Sequence, residues 1–235
     1  MSSIKVVTQR VQSLYSKGTQ SDDSRLSIRH IYSKLSSLRA KLFKQKLDKK
    51  QRVSDWSYQT IDCVELVLAL PHECPCIPPI GCKVYRSKHP IPSIIYSSQY
   101  PGIDSVTSID GGIIYTPTTW KAKKYKKADK YTSQKPDYFF RNDYLYLTHK
   151  PGPKVISITA LFEDVLDVVR FTNLCQENCV DCDDCIPFYD VEFNVEDSLL
   201  DTIIEMAVPE LIEVFSKMRE DQTNDTKDSR ADEGK

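Results

Sequence analysis

Apolar positions along the chain follow two different periods. Ile4, Val7, Val11, Leu14 and Tyr15 recur at steps of three and four, and Gly18 follows as a stop. That spacing predicts a first helix over residues 4–17. Ser21-Asp22-Asp23-Ser24 then offers N-cap candidates for a second helix, whose narrow apolar stripe is Ile28, Ile31, Leu35, Leu38 and Leu42. The other faces of this helix carry Arg25, Arg29, Lys34, Arg39, Lys41, Lys44 and Lys46, which reads as a solvated charged surface, and fraying is expected near Asp48-Lys49-Lys50-Gln51-Arg52.

After Trp56 helical spacing gives way to β-branched and aromatic runs punctuated by Pro and Gly. Strands are predicted over residues 58–67, 82–86, 94–96, 113–115, 138–140, 143–147 and 155–162. Asp110-Gly111-Gly112, Arg141-Asn142-Asp143 and Pro151-Gly152-Pro153 supply turn chemistry between several of them. Six or seven short strands in succession predict a barrel-like or sandwich-like middle. From Val195 onward Leu199, Leu200, Ile203, Ile204, Ala207, Leu211, Ile212 and Phe215 restore the helical period. Pro209 removes one backbone donor and is expected to kink this last helix. The expected fold class is therefore α+β: an N-terminal helical pair and a C-terminal amphipathic helix framing the β-rich middle. The linear division reads 1–52 helical segment, 53–170 β-rich domain, 171–194 cysteine-rich acidic connector, 195–220 helix and 221–235 disordered tail.

A chain of 235 residues that is 40% hydrophobic and 28% charged belongs with ordinary globular proteins. No run of about 18 apolar residues exists to span a bilayer, and the start lacks the long apolar region of a secretory signal. These features lead to the expectation of a cytosolic chain whose eight cysteines begin as thiols. The net charge of −1 hides a separation. Residues 1–60 carry thirteen Lys and Arg against four acids, and residues 171–235 carry five against eighteen. Opposite charge on the two ends fits either a nucleic-acid arm with an acidic tail, or complementary faces of a subunit packed head to tail.

Catalytic patterns are absent from the sequence. Seven glycines form no phosphate-cradling loop, and His30, His72, His89 and His149 stand far apart with no HExxH or GxSxG beside them. No cofactor is implied. Two stretches carry weaker chemistry. Lys121, Lys123, Lys124, Lys126, Lys127 and Lys130 make a basic loop with one interleaved tyrosine; it is either an exposed hairpin tip or a contact for DNA or an acidic partner. Cys175, Cys179, Cys182 and Cys185 gather four thiols within eleven residues. Such thiolates are able to hold zinc, although four ligands in so short a loop strain a tetrahedron, and free or later-oxidised thiols are the competing reading.

Several segments carry a family resemblance: residues 15–32, 45–51 and 63–66, His72-Glu-Cys-Pro-Cys-Ile-Pro-Pro-Ile-Gly-Cys82 with Arg86-Ser-Lys88, and later residues 138–147 and 156–164. As a set they resemble a structural protein of crAss-like bacteriophages, of the ring or adaptor kind in the head–tail connector between portal and tail. The resemblance covers roughly residues 10–215, apart from the 175–185 cysteines and Pro209, which match no familiar pattern. It implies a virion protein and no enzyme, assembled in the host cytoplasm as a homo-oligomeric ring, commonly of twelve copies. The implied partners are the portal, other connector or tail proteins, and the genomic DNA whose channel the ring lines, with no membrane. A zinc-stabilised nucleic-acid-binding regulator is the alternative that the cysteines and lysines keep open.

Overall fold

The computed structural model describes residues 2–18, 26–69, 84–97, 101–119, 121–122, 130–131, 135–147, 153–175 and 190–231. Side chains at 173–175 and 215–231 are outside that description. The chain divides into two units, one made of Met1–Leu42 with Ile186–Lys235 and the other of Phe43–Cys185.

In the first unit, helix α1 (Ile4–Tyr15) begins where the Ser3 hydroxyl accepts from the Val6 N–H. Its buried face is Ile4, Val7, Thr8 and Val11, with Leu14 half-exposed, so the predicted apolar face rotates by about one position. Thr8 is tolerated there because its hydroxyl donates 2.8 Å to the Ile4 carbonyl, satisfying the buried oxygen within the helix. Helix α2 (Ile28–Asp48) crosses the boundary between the units. Its N-cap candidates at 21–24 lie outside the described residues. The buried positions on α2 are Ile31, Tyr32, Leu35, Leu38, Arg39 and Phe43. Arg39 thus departs from the expected solvated face: it is fully buried, and its Nε donates 3.2 Å to the Asn194 carbonyl. The physical reason is position, since Arg39 lies four residues from both Leu35 and Phe43 and so shares their stripe.

The last helix, α4 (Asp197–Ala231), passes through Pro209 and continues beyond 220. It buries Leu200, Ile203, Ile204, Ala207 and Leu211, whereas Ile212 is exposed. The segment before it pairs with the N-terminus: Ile4 N–H donates 2.9 Å to Val191, and Phe193 N–H donates 3.0 Å to Ser2. The two chain ends therefore fold together, and α1 packs on α4.

The second unit is a seven-stranded, nearly closed barrel. Its strands are β1 (Gln59–Leu68), β2 (Tyr85–Ser87), β3 (Ile103–Ser108), β4 (Thr116–Pro117), β5 (Asp137–Arg141), β6 (Tyr144–Leu147) and β7 (Val155–Ala160), arranged in the order β3-β7-β1-β2-β6-β5-β4. Every pairing is antiparallel except β4 with β5. The stretch from Ile113 to Thr118 brings the two edges together. Tyr115 N–H donates 2.9 Å to Val106 on β3, and Thr118 N–H donates 2.8 Å to Tyr138 on β5. One short segment thus pairs with both edges of the sheet.

Strand alternation fills the interior. Tyr138, Leu145 and Leu147 point inward with Ile156, Ile158 and Phe162, while Phe139 and Tyr146, opposite each other in register, stack on the other face with centroids 5.1 Å apart. Ile61 and Val64 are three residues apart and both are in the core. A register shift between them makes this possible, because strict alternation would turn one outward.

Three elements were not legible in the hydrophobic pattern, the two-residue β4 among them. β3, Ile-Asp-Ser-Val-Thr-Ser, contributes Val106 as its fully buried apolar residue, so a sequence window sees a polar stretch. Helix α3 (Val165–Cys175) sits where the β-domain was expected to end and the connector to begin. Its Val-rich start imitates a strand, but the Asp164 carboxylate accepts 2.9 Å from the Leu166 N–H and caps it, and Val168 and Phe171 join the barrel core. Conversely, the expected strands at 94–96 and 113–115 reduce to single bridges at Ile94, Tyr96 and Ile114.

Candidate functional site: charged faces, a rim tip and a cleft

The separation of charge along the chain is partly consumed inside the first unit. Residues 1–42 hold eight Lys and Arg against two acids, and residues 186–235 hold five against fourteen. Folding brings them together: Arg10 pairs with Asp201 at 2.8 Å and Lys34 pairs with Glu210. Both pairs are substantially exposed, so each contributes at most about 1 kcal/mol. They show that at least part of this complementarity serves the chain's own fold, which weakens it as an argument for contact between subunits.

Of the basic loop, Lys121 and Lys130 are exposed, and the Lys130 ammonium lies 5.9 Å from the Tyr131 ring centroid. Lys123, Lys124, Lys126 and Lys127 lie outside the described residues. Cys175 ends α3 without a described side chain, and Cys179, Cys182 and Cys185 lie outside the described residues as well. Among the described residues no group of three or more His, Cys, Asp and Glu is placed to hold a metal. His30 Nδ1 sits 2.9 Å from the Ser27 hydroxyl at the start of α2, and His89 packs edge-on to Phe171 with centroids 6.5 Å apart. Among the described residues no helix is long and apolar enough to cross a membrane.

Two surface features of the barrel were not singled out from sequence. The first is the tip joining β3 to β4. Gly111, at φ 67°, turns the chain. Asp110 accepts from the Ser108 hydroxyl and, at 3.3 Å, from the Gly112 N–H. The Ile113 N–H in turn donates 3.0 Å to the Ser108 oxygen. These contacts hold the Asp110 carboxyl below the usual carboxylate range, the Ser108 hydrogen bond first. The internally tied tip displays Ile109, 62% exposed, and Ile114, 66% exposed.

The second feature is a cleft of about 230 Å3 at the β5–β6 turn. Its lining includes Ile91, Ile94 and Phe140 together with Tyr96, Arg141 and Asp143. Asn142 and Asp143 both take positive φ, 49° and 62°, which matches a two-residue hairpin turn. The Ile91 N–H donates 2.7 Å to the Asp143 carbonyl and pins the facing segment. Burial, then the Asp143 charge, pushes the Tyr96 hydroxyl up, and burial pushes Tyr138 up to about 12. Shifts in this direction favour the protonated phenol at both positions.

Among the described residues the candidate features are surfaces and a cleft, and comparisons with known proteins give the class. A family model described as phage tail ring protein 2 matches residues 7–233. Ring protein 2 of Bacteroides phage crAss001 is 29% identical over 205 residues, covering 81% of this chain and 83% of that protein. The chain belongs to the phage tail ring protein 2 family, and so to the ring proteins of crAss-like phages.

Proposed function

We propose that this chain is a subunit of a homo-oligomeric ring in the head–tail connector. In this reading the ring holds about twelve copies, seals and adapts the portal exit to the tail, and lines the path of the genome. The carrying observation is the family match over residues 7–233, nearly the whole chain. The role is mechanical and involves no catalysis. The subunit is made in the host cytoplasm and incorporated into the virion, with the portal, neighbouring connector or tail proteins and, non-specifically, DNA as its partners. Exposed Lys121 and Lys130 support a basic surface toward DNA or an acidic protein.

A cryo-electron microscopy map of purified particles tests the proposal. Copies of the chain arranged around the tail axis beneath the portal are expected; a chain absent from particles refutes it. The zinc-stabilised regulator is not favoured, because the family match leaves no part of the chain to a separate regulatory module. Metal analysis of the purified protein checks it directly, since that reading requires stoichiometric zinc.

A further inference from the structure

A closed ring of identical subunits needs a heterologous contact, in which two different patches of one molecule meet across each interface. The barrel carries two such patches, and strand directions place them at opposite ends. β3 runs toward the Ile109–Gly112 tip, and the chain returns antiparallel to it through the Thr107–Ile114 bridge. β4 lies on that return and is parallel to β5, with Thr116 beside Asp137. β5 therefore runs away from the tip and ends at the 142–143 turn, where the cleft opens. Four residues separate Gly112 from Thr116 and five separate Asp137 from Asn142. At about 3.3 Å each, the tip and the cleft are roughly 30 Å apart along the strands.

Their chemistry also corresponds. The tip offers two exposed isoleucines beside the Asp110 carboxylate, and the cleft offers a lining of mixed character, in which Ile91, Ile94 and Phe140 stand with Arg141. Asp143 in the same lining is the like charge that Asp110 must avoid, which fixes the orientation of approach. A volume of about 230 Å3 falls below the roughly 300–1,000 Å3 of pockets that take small-molecule ligands. It is on the scale of one or two aliphatic side chains. The tip is also tied by its own hydrogen bonds before contact, which lowers the ordering entropy that docking costs.

We infer that adjacent copies of this chain dock by inserting the Ile109/Ile114 tip of one barrel into the Ile91–Ile94–Phe140 cleft of the next, with Asp110 against Arg141. This rests on the ring reading above and names the contact that closes the ring. Around it a larger polar rim completes the interface, as anchors in a central pocket are ordinarily surrounded.

The test is sedimentation velocity of the full chain. Wild type should self-associate, and Ile109→Ser with Ile114→Ser should weaken association by roughly 30-fold or more. Ser93→Trp, at an exposed position on the cleft wall, should do the same by filling the cleft. Asp110→Arg should also disrupt assembly, and adding Arg141→Asp to it should restore assembly. Circular dichroism confirms folding of each variant, and because the tip and plug variants are remote from each other, either suffices if the other misfolds. Mixing tip-deficient and cleft-plugged copies leaves one live tip and one live cleft, so the mixture should give one-to-one dimers and nothing larger. Wild-type-like assembly of both variants overturns this interface while leaving the ring reading intact. A wild-type chain that stays monomeric overturns the interface as well, and absence from particles separately overturns the ring reading.

Discussion

Gly102 is the position where the fold leaves least room for a side chain. Its N–H donates 2.8 Å to the Ile95 carbonyl and its own carbonyl accepts 2.7 Å from the Leu161 N–H, so it sits between two strands of backbone. A Cβ built there would lie 2.7 Å from the Ile95 oxygen, 3.2 Å from the Leu161 Cβ and 3.4 Å from the Leu47 Cδ1. The first contact is with backbone, so relief requires moving the carbonyl that Gly102 itself bonds. Gly102→Ala should therefore carry the cost of overpacking, about 1–3 kcal/mol. The lower entropy of the unfolded alanine chain offsets only about 0.4–1 kcal/mol of this. A net loss of about 1–2 kcal/mol corresponds to a drop in Tm of roughly 3–8 °C for a unit of this size. Tryptophan fluorescence follows the right unit, because Trp56 and Trp120 both belong to Phe43–Cys185. Gly111 is the control. It meets nothing within 4 Å but has φ +67°, so Gly111→Ala loses about 1 kcal/mol through conformation alone. Asparagine tolerates that conformation, hence Gly111→Asn should recover most of the loss while Gly102→Asn should be worse than Gly102→Ala. An unchanged or raised Tm for Gly102→Ala would falsify the close-packing argument.

Two further outcomes follow from the charged groups. Arg39→Ala should destabilise by about 2–4 kcal/mol in urea titrations, since it empties a fully buried site and removes the donor to Asn194. Asp201→Asn, which breaks an exposed pair with Arg10, should cost under about 1 kcal/mol; equal effects would refute the distinction drawn from burial. Asp110 is held below its usual range, so its contribution is present above the unfolded value near 3.9 and disappears as pH falls through the lower folded value. Melting curves of Asp110→Asn against wild type should differ most near neutrality and converge in strong acid, and a gap that widens on acidification would sink this reasoning.

Helical spacing was enough to place α1, α2 and α4, and β-branched and aromatic runs were enough to place β1, β5, β6 and β7, although β1 breaks strict alternation between Ile61 and Val64. α3 was hidden by its valines, although Asp164 ahead of them was an available capping signal. β3 was hidden because its place in the sheet depends on pairing with β7, and only Val106 among its side chains is both apolar and fully buried. The candidate surfaces were still less legible. Asp110-Gly111-Gly112 and Arg141-Asn142-Asp143 were readable as turns, since turn chemistry is local. That one turn displays isoleucines and the other borders a cleft depends on residues 91–96 folding back against 143, a contact between segments about fifty residues apart.

By itself, then, the sequence determined the α+β class, the order of most elements and, through its segment resemblances, the kinship with ring proteins. Those properties reside in short windows, where period, capping and turn residues act over a few positions. Tertiary structure decided that the oppositely charged ends share one unit and that Arg39 is buried. It also decided that Ile113–Thr118 joins both barrel edges, with the tip and cleft at opposite ends. Each of these depends on which distant segments meet, and that is set by burial and backbone pairing summed over the whole chain.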